Sequence, residues 1–502
     1  MKYIPTIGLE IHLQLNTNSK MFCACSNRGE SEPPNTTICP ICMAHPGTLP
    51  TINREAVKAV IRAGLALHCE INSSVKLDRK NYFYPDLSKG YQISQYDLPI
   101  CHDGYIEIEG KRIAIRRIHI EEDTAKMFHS PDGAHTLVDF NRAGSPLMEL
   151  VTEPDCEDAE TARKLSQELQ KIFRYLSISD GDMEKGHMRC EANVSVRLDG
   201  ETAFGTKVEV KNINSFRSLE RTIEYEIKRQ TELLERDEKI IQETRGWDDV
   251  NQKTISQRAK EDAHDYRYFP EPDLPPLEFS SEFLNEMKRT IPELPIQKRK
   301  RFENEYGFTP EHGLLLTETK VLAAWAEHVI SEVRVCLDDS YEVSDTKTRW
   351  QDKKRELARL VGGWTTSELF KLLNVNKMSI EDIKITPENF AELMVLLFQK
   401  KINSSAGQVV LDEMFHTGKD PHDIVRERNM EQIEDAVALR SIIEKIITTC
   451  PEQVVAYKSG KTNIIQFLVG KVMTASKGKA NPQKTREILE EILQHDRDRT
   501  LF

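Results

Sequence analysis

Residues 6–15 alternate without a break: Ile7, Leu9, Ile11, Leu13 and Leu15 fall on one side, and Gly8, Glu10, His12 and Gln14 on the other. A period of two belongs to a strand with one side against a core, so this segment is expected to be a half-buried β-strand. Residues 189–198 repeat the pattern, with Cys190, Ala192, Val194, Val196 and Leu198 inward and Arg189, Glu191, Asn193, Ser195 and Arg197 outward. Residues 206–211 set Val208 and Val210 against Lys207, Glu209 and Lys211. Up to about residue 291 such short runs are separated by Gly, Pro, Asn and Asp, the punctuation of strands and hairpins. From residue 292 onward the apolar spacing changes to three and four, and residues 392–398, 431–447 and 485–494 read as amphipathic helices. Ahead of that change, Pro270, Pro272, Pro275 and Pro276 within residues 266–277 remove amide donors and push their neighbours out of the helical region. An ordered extended crossing or a linker is expected there. The pattern predicts a multidomain α+β chain: a mixed domain on antiparallel sheet over residues 1–291, an all-α domain over 292–400, and a helical tail domain over 401–502.

A chain of 502 residues has room for two to four such domains, and 39% hydrophobic with 30% charged residues excludes disorder as the default state. No apolar run approaches the roughly 18 residues of a membrane span. Glu10 and His12 interrupt the only apolar stretch near the N-terminus, so no secretory leader is expected and the chain is expected to be cytoplasmic. The net charge of −12 argues against binding a polyanion through bulk charge. That charge is uneven, however. Residues 401–502 carry fifteen basic and fifteen acidic side chains, and residues 454–486 hold Lys458, Lys461, Lys471, Lys477, Lys479, Lys484 and Arg486 without one Asp or Glu. This strip is either a solvated helix face or a local contact for a phosphate backbone.

Ten cysteines are too few for a disulfide scaffold of this length. Four of them cluster as Cys23-x-Cys25, thirteen intervening residues, and Cys39-x-x-Cys42. Two close pairs of thiols suit a tetrahedral Zn²⁺ site, and with all four positions filled by protein such a metal is structural; the alternative is four reduced, unligated thiols. The polar faces of the three alternating strands pose a second choice. One side of an antiparallel sheet commonly faces water, but Glu10, His12, Glu191, Asn193 and Glu209 are all oxygen or imidazole ligands that could hold Mg²⁺ with bound phosphate. His119, Glu121, Glu122 and Asp123 end another apolar run. Residues 80–95 mix Tyr82, Phe83, Tyr84 and Tyr91 with Lys80 and Lys89, a combination that can stack a base, hold a phosphate or simply pack.

The common nucleotide motifs are absent. Gly460-Lys461-Thr462 ends like a phosphate-binding loop, but the glycine required five places earlier is Val455. No G-x-S-x-G elbow and no Gly-rich dinucleotide fingerprint occurs. Instead, GLEIHLQL (residues 8–15), RKNYFYPDLSKGYQISQ (79–95), HIEEDTAK (119–126), DFNRAGSPLMELVTEPD (139–155), RCEANVSV (189–196), EVKNINSF (209–216), AHDYRYFPEPDLPPL (263–277) and FLVGKVMTASKGKANP (467–482) follow one another along nearly the whole chain. In these segments the chain closely resembles the B-subunit family of aspartyl/glutamyl-tRNA amidotransferases.

The resemblance implies a cradle domain, a helical domain and a small tail domain. It also implies work beside an amidase A subunit and a small C subunit, amidating misacylated Glu-tRNA(Gln) or Asp-tRNA(Asn) with ATP, Mg²⁺ and ammonia delivered from glutamine by the partner. By position in the matched motifs, Glu10, His12, Glu122 and Glu209 are expected to hold the cation, with Glu122 preferred over Glu121. Lys80 and Lys89 are expected near nucleotide, substrate or the ammonia path, and Arg189, Glu191, Asn193, Lys207 and Lys211 near phosphate or the acceptor end. Lys458, Lys461, Lys471, Lys477 and Lys479 become candidate tRNA contacts. Two other readings are a non-enzymatic zinc-containing tRNA-binding scaffold and a stand-alone metal hydrolase built on His12 and His119.

Overall fold

The computed structural model of the chain describes residues 3–259, 265–339, 346–431, 436–476 and 479–498. It divides into two compact units, Met1–Pro295 and Ile296–Phe502.

In the first unit the alternating segment becomes the strand Tyr3–Gln14, the middle of a nine-stranded sheet. To one side lie Met188–Leu198, Val208–Ile213, Glu243–Asp248 and Lys253–Ala259; to the other lie Pro146–Thr152, Lys111–Glu122, Cys101–Ile108 and Glu70–Ile71. Every neighbouring pair is antiparallel except Val208–Ile213 with Glu243–Asp248. Ile7, Leu9, Ile11 and Leu13 are 0% exposed, and Ala192, Val194, Val208 and Val210 are buried with them. Removing one such side chain from water contributes about 1.5–3 kcal/mol, which is why a one-residue slip of register would be prohibitive.

Three helices supply the rest of the core. They are α1 (Arg54–Ala66), α2 (Ala159–Tyr175) and α3 (Phe216–Glu235). Each begins where a polar side chain caps free amides: Asn53 accepts from Glu55 N and Ala56 N, Asp158 from Thr161 N, and Ser215 from Ser218 N. α2 packs on α3, α3 packs on Met188–Leu198, and α1 packs against Lys111–Glu122 and Cys101–Ile108. The opposite, polar side of the central strands is the side that can receive ligands.

The proline-rich segment is an ordered crossing. Phe269–Pro270 pairs with Asp78–Asn81, and Leu277–Glu278 pairs with Ser74–Val75. Between them the buried Glu271 carboxylate takes both Arg79 Nε (2.7 Å) and Arg79 Nη2 (2.8 Å), a two-pronged ion pair that fixes the crossing against the sheet strand.

The second unit is helical with two apolar cores. Phe302, Trp325, Val329, Leu357, Phe390 and Met394 belong to the first, which continues through Ile402, Leu411, Met414 and Val425. Residues 401–425 thus pack with the helical domain rather than with the tail, because their apolar side chains complete that core. Leu439, Ile443, Ile465, Leu468, Leu489 and Leu493 form the second core. Among the described residues no helix is long and apolar enough to cross a membrane.

Candidate active site

Strand register assembles the site. Opposite Glu10 stands Glu191, and opposite His12 stand Arg189 on one side and Glu149 on the other; Glu149 in turn faces His119, and Asn193 faces Glu209. Residues directly opposite on one face lie about 4.5–5.5 Å apart, so five strands deliver their polar side chains to one patch.

Two trios of potential metal ligands result. Glu10, Glu191 and Glu209 can each offer an oxygen within 4.8 Å of the others, and the imidazole nitrogen of His12 and oxygens of Glu121 and Glu149 come equally close. In the first trio Asn193 Nδ2 donates to Glu10 (2.9 Å), Thr244 Oγ1 to Glu209 (2.7 Å), and Lys211 Nζ lies 2.8 Å from Glu191 and 3.3 Å from Glu209. In the second, His12 Nε2 and His119 Nε2 lie 3.4 and 3.5 Å from Glu149 Oε2, and Glu121 accepts from Ser94 Oγ (2.8 Å) and Gln92 Nε2 (3.2 Å). Lys80 Nζ stands 3.9 Å from Glu121 and over the Tyr266 ring.

The electrostatics are those of crowded carboxylates. Burial, together with the charges of Glu149 and Glu191, raises the pKa of Glu10 above the ordinary carboxyl value. Burial opposes ionisation of Glu149 as well, but His119 and the hydrogen bond from His12 overcome it and lower its pKa to about 2. For Glu121 burial is likewise outweighed, chiefly by Lys80 and His119, and its pKa falls well below the usual range. Burial disfavours protonated His12, yet its hydrogen bond to Glu149 and that carboxylate's charge raise it above 6.5. A divalent cation fits both trios by donor chemistry, since oxygens and a neutral imidazole surround a point where negative charge is concentrated.

The placement of Glu122 departs from the expectation. Alternation along Lys111–Glu122 puts His119 and Glu121 on the ligand face, and Glu122 on the other. Its carboxylate takes Lys89 Nζ at 2.6 Å and the Ile93 amide at 3.0 Å instead. Glu121, not Glu122, therefore stands with His12, and Glu10 and Glu209 belong to the neighbouring trio rather than to a single four-ligand set. Lys89 and Glu122 line a cavity of about 180 Å³ beside the cysteine loop. Arg189 is drawn to the buried Asp123 (3.0 Å), and Lys207 is exposed, its charge helping to lower Glu209. The sequence motifs do not point to Glu149, although the strand PLMELVT offers a signal: a lone carboxylate in a mostly apolar run that is buried throughout.

The four cysteine thiols also converge. Cys23, Cys25, Cys39 and Cys42 place their sulfurs within 4.8 Å of one another, with Cys39 and Cys42 at 3.9 Å. Tetrahedral Zn–S bonds of about 2.3 Å put sulfurs about 3.8 Å apart, so this quartet fits a closed Zn²⁺ site. Among the tail candidates, Lys461 and Lys471 are exposed, Lys479 is half-buried, and Lys458 ends the helix Pro451–Lys458; Lys477 lies outside the described residues.

An open sheet with helices on one side and clustered ligands on the other is the scaffold of a catalytic domain, and residues 5–285 match the family model described as GatB/GatE catalytic domain. Residues 351–493 match the model described as GatB domain. The chain belongs to the family of aspartyl/glutamyl-tRNA(Asn/Gln) amidotransferase B subunits. It is 46% identical over 498 residues to the protein of that name from Caldanaerobacter subterraneus, covering 98% of this chain and 100% of the relative. The corresponding proteins of Thermodesulfovibrio yellowstonii and Rippkaea orientalis are 45% and 44% identical, covering 98% of this chain and 100% and 98% of those relatives.

Proposed function

We propose that this chain activates the side-chain carboxylate of a glutamate or aspartate esterified to the wrong tRNA, Glu-tRNA(Gln) or Asp-tRNA(Asn), at the expense of ATP. Ammonia released from glutamine by an amidase partner in a three-subunit complex then attacks. The reading is carried by one observation: two ligand trios side by side on one sheet face, flanked by Lys80, Lys211 and Arg189.

A carboxylate oxygen is a very poor leaving group, so amide formation requires prior phosphorylation, and phosphoryl transfer depends mainly on position and charge neutralisation. Glu10, Glu191 and Glu209 and His12, Glu121 and Glu149 would hold Mg²⁺, which when bound would supply that neutralisation. Against their burial, Lys211 favours the ionised form of Glu209 and Lys80 that of Glu121, while Asn193 and Thr244 orient Glu10 and Glu209. Arg189, tethered by Asp123, is placed to meet substrate phosphate or the acceptor end. Lys89, paired with Glu122, faces the adjacent cavity and suits the ammonia path. Zn²⁺ at the cysteine quartet is structural. The test is amidation by the reconstituted complex with each mischarged tRNA, with and without ATP. Product formed equally well without ATP would overturn the reading and favour a binding scaffold.

Protons compete with the cation at this site. Because the pKa values of both His12 and Glu10 are raised, they hold protons to higher pH than free side chains, and Mg²⁺ must displace them. The Mg²⁺ concentration for half-maximal amidation is expected to fall several-fold between about pH 6.5 and about pH 8.5. A flat dependence would show that His12 is not a ligand. The sign is opposite for the metal-free protein: the raised His12 adds stability below its unfolded value of 6.5 and loses it as pH rises past the folded value.

The cationic strip of the tail suits the outer surface of tRNA, where shape and phosphates dominate recognition. Residues 454–498 supply most of the second helical core, so truncation there would unfold what it tests. Lys461→Gln with Lys471→Gln is the cleaner probe. It is expected to reduce the slope of log affinity against log salt by about one per lysine, with ammonia production unchanged. An unaltered slope would leave both lysines as solvated surface.

A further inference from the structure

Lys20 is 0% exposed, yet no carboxylate among the described residues lies within ion-pairing distance of its ammonium. Its polar partners are the Phe140 carbonyl oxygen at 3.2 Å and Cys42 Sγ at 3.8 Å. The stem runs past Gly144, whose φ of +82° is a backbone conformation that favours glycine. A buried cation met by one carbonyl oxygen and a protonated thiol is costly, because burial strips its water and neither partner carries opposite charge; a thiolate at Cys42 supplies that charge.

The cysteine quartet has the converse problem. Four thiolates and one Zn²⁺ sum to 4 × (−1) + 2 = −2, a dianion whose sulfurs Cys23 and Cys42 are themselves buried. Each anomaly is the remedy for the other. We propose that Lys20 is the resident counter-cation of the tetrathiolate site, halving its charge through Cys42 and tying the metal loop to the Phe140 carbonyl. The residue acts through the ligands rather than on substrate, so it is a positioning residue. The proposal rests on the reading of the quartet as a Zn²⁺ site. It also accounts for a lysine that the amidation chemistry does not use.

The geometry makes an unusual demand on stability. With zinc bound, removing the ammonium leaves −2 buried; without zinc, Cys42 can take up a proton when the ammonium is gone, so the variant buries no charge there. Lys20→Met keeps the stem and deletes the charge. In the full-length chain it is expected to weaken zinc retention against a chelator by about 10- to 100-fold. The metal-free variant is expected to unfold no earlier than metal-free wild type, while the zinc-loaded variant unfolds earlier than zinc-loaded wild type. Loss of packing alone would lower both. In the Co²⁺-substituted protein the sulfur-to-metal charge-transfer band should move to longer wavelength in Lys20→Met, since uncompensated thiolates give up electrons more readily. Lys20→Arg, which keeps the charge, should hold zinc better than Lys20→Met. Equal retention and an unmoved band in Lys20→Met would overturn the role of Lys20 while leaving the zinc site standing. Equal losses in the Met and Arg variants, with both metal-free forms destabilised, would likewise assign Lys20 to packing. Wild-type chain that binds neither Zn²⁺ nor Co²⁺ would end both readings.

Discussion

Glu149→Gln is expected to lower ATP-dependent amidation by the assembled enzyme about 100- to 1000-fold, while glutamine hydrolysis by the partner stays measurable. The substitution preserves shape and removes one charge. That charge is the one both histidines approach, at 3.4 and 3.5 Å, and its pKa is held near 2 although burial works against ionisation. A carboxylate kept ionised at that expense, beside Glu121 and within reach of His12, is a fixed anionic point of the patch. Replacing it with an amide should abolish the Mg²⁺ dependence before it affects the fold, which thermal unfolding of the variant would verify. Glu10→Ala and Glu209→Ala should act similarly through the neighbouring trio. Undiminished amidation by Glu149→Gln would remove the His12 trio from the mechanism, and undiminished amidation by the other two would remove the Glu10 trio.

Cys39→Ser is expected to release one equivalent of zinc and lower the first thermal transition by about 6–12 °C. The estimate treats the metal as a cross-link closing a loop of roughly fifteen residues, worth about 3 kcal/mol, and converts it with the usual temperature dependence for a domain of this size. The loop has little core of its own to fall back on. Its anchors are polar: Asn27 Nδ2 to the Leu15 carbonyl, Asn53 Nδ2 to Ser19, Asn141 Nδ2 to the Gly29 and Pro33 carbonyls, and Ser88 Oγ to the Cys42 carbonyl. A chelator should reproduce the shift in wild type and do nothing further to the variant. A wild-type protein that purifies without zinc and melts at the same temperature as Cys39→Ser would show the thiols to be unligated.

The anchor from Ser88 has a second consequence. Lys89 follows it directly and pairs with Glu122, so the metal loop braces the cavity next to the ligand patch without contributing a ligand to it. Loss of zinc should therefore impair ammonia-dependent steps more than substrate binding.

Residues 6–15 show how much was legible beforehand. Strict alternation identified the strand, its buried side and the shared side of Glu10 and His12, because period two leaves one assignment once a face must be buried. The same logic placed Glu191 with Asn193 and Lys207 with Glu209. It also contained the correction for Glu122, since His119 and Glu121 share parity and Glu122 does not; the motif resemblance obscured a distinction that alternation makes. Glu149 was harder to find, because one carboxylate in PLMELVT changes hydropathy little and becomes conspicuous only when two histidines face it. The helical segments were recognisable by their spacing, but the extent of the first helical core beyond residue 400 was not, since apolar periodicity says which face is buried and not against which partner.

By itself, then, the chain's order of residues determined the strands, the helices, their buried faces, the cysteine quartet and the family. These follow from local periodicity, from the spacing of like ligands and from long matched segments. Only the tertiary structure decided which strands are neighbours, and so which carboxylates share a trio. It alone set Glu149 against His12 and His119 and buried Lys20 beside Cys42. Register between strands more than a hundred residues apart is fixed by the packing of the whole sheet, and no window of sequence contains that information.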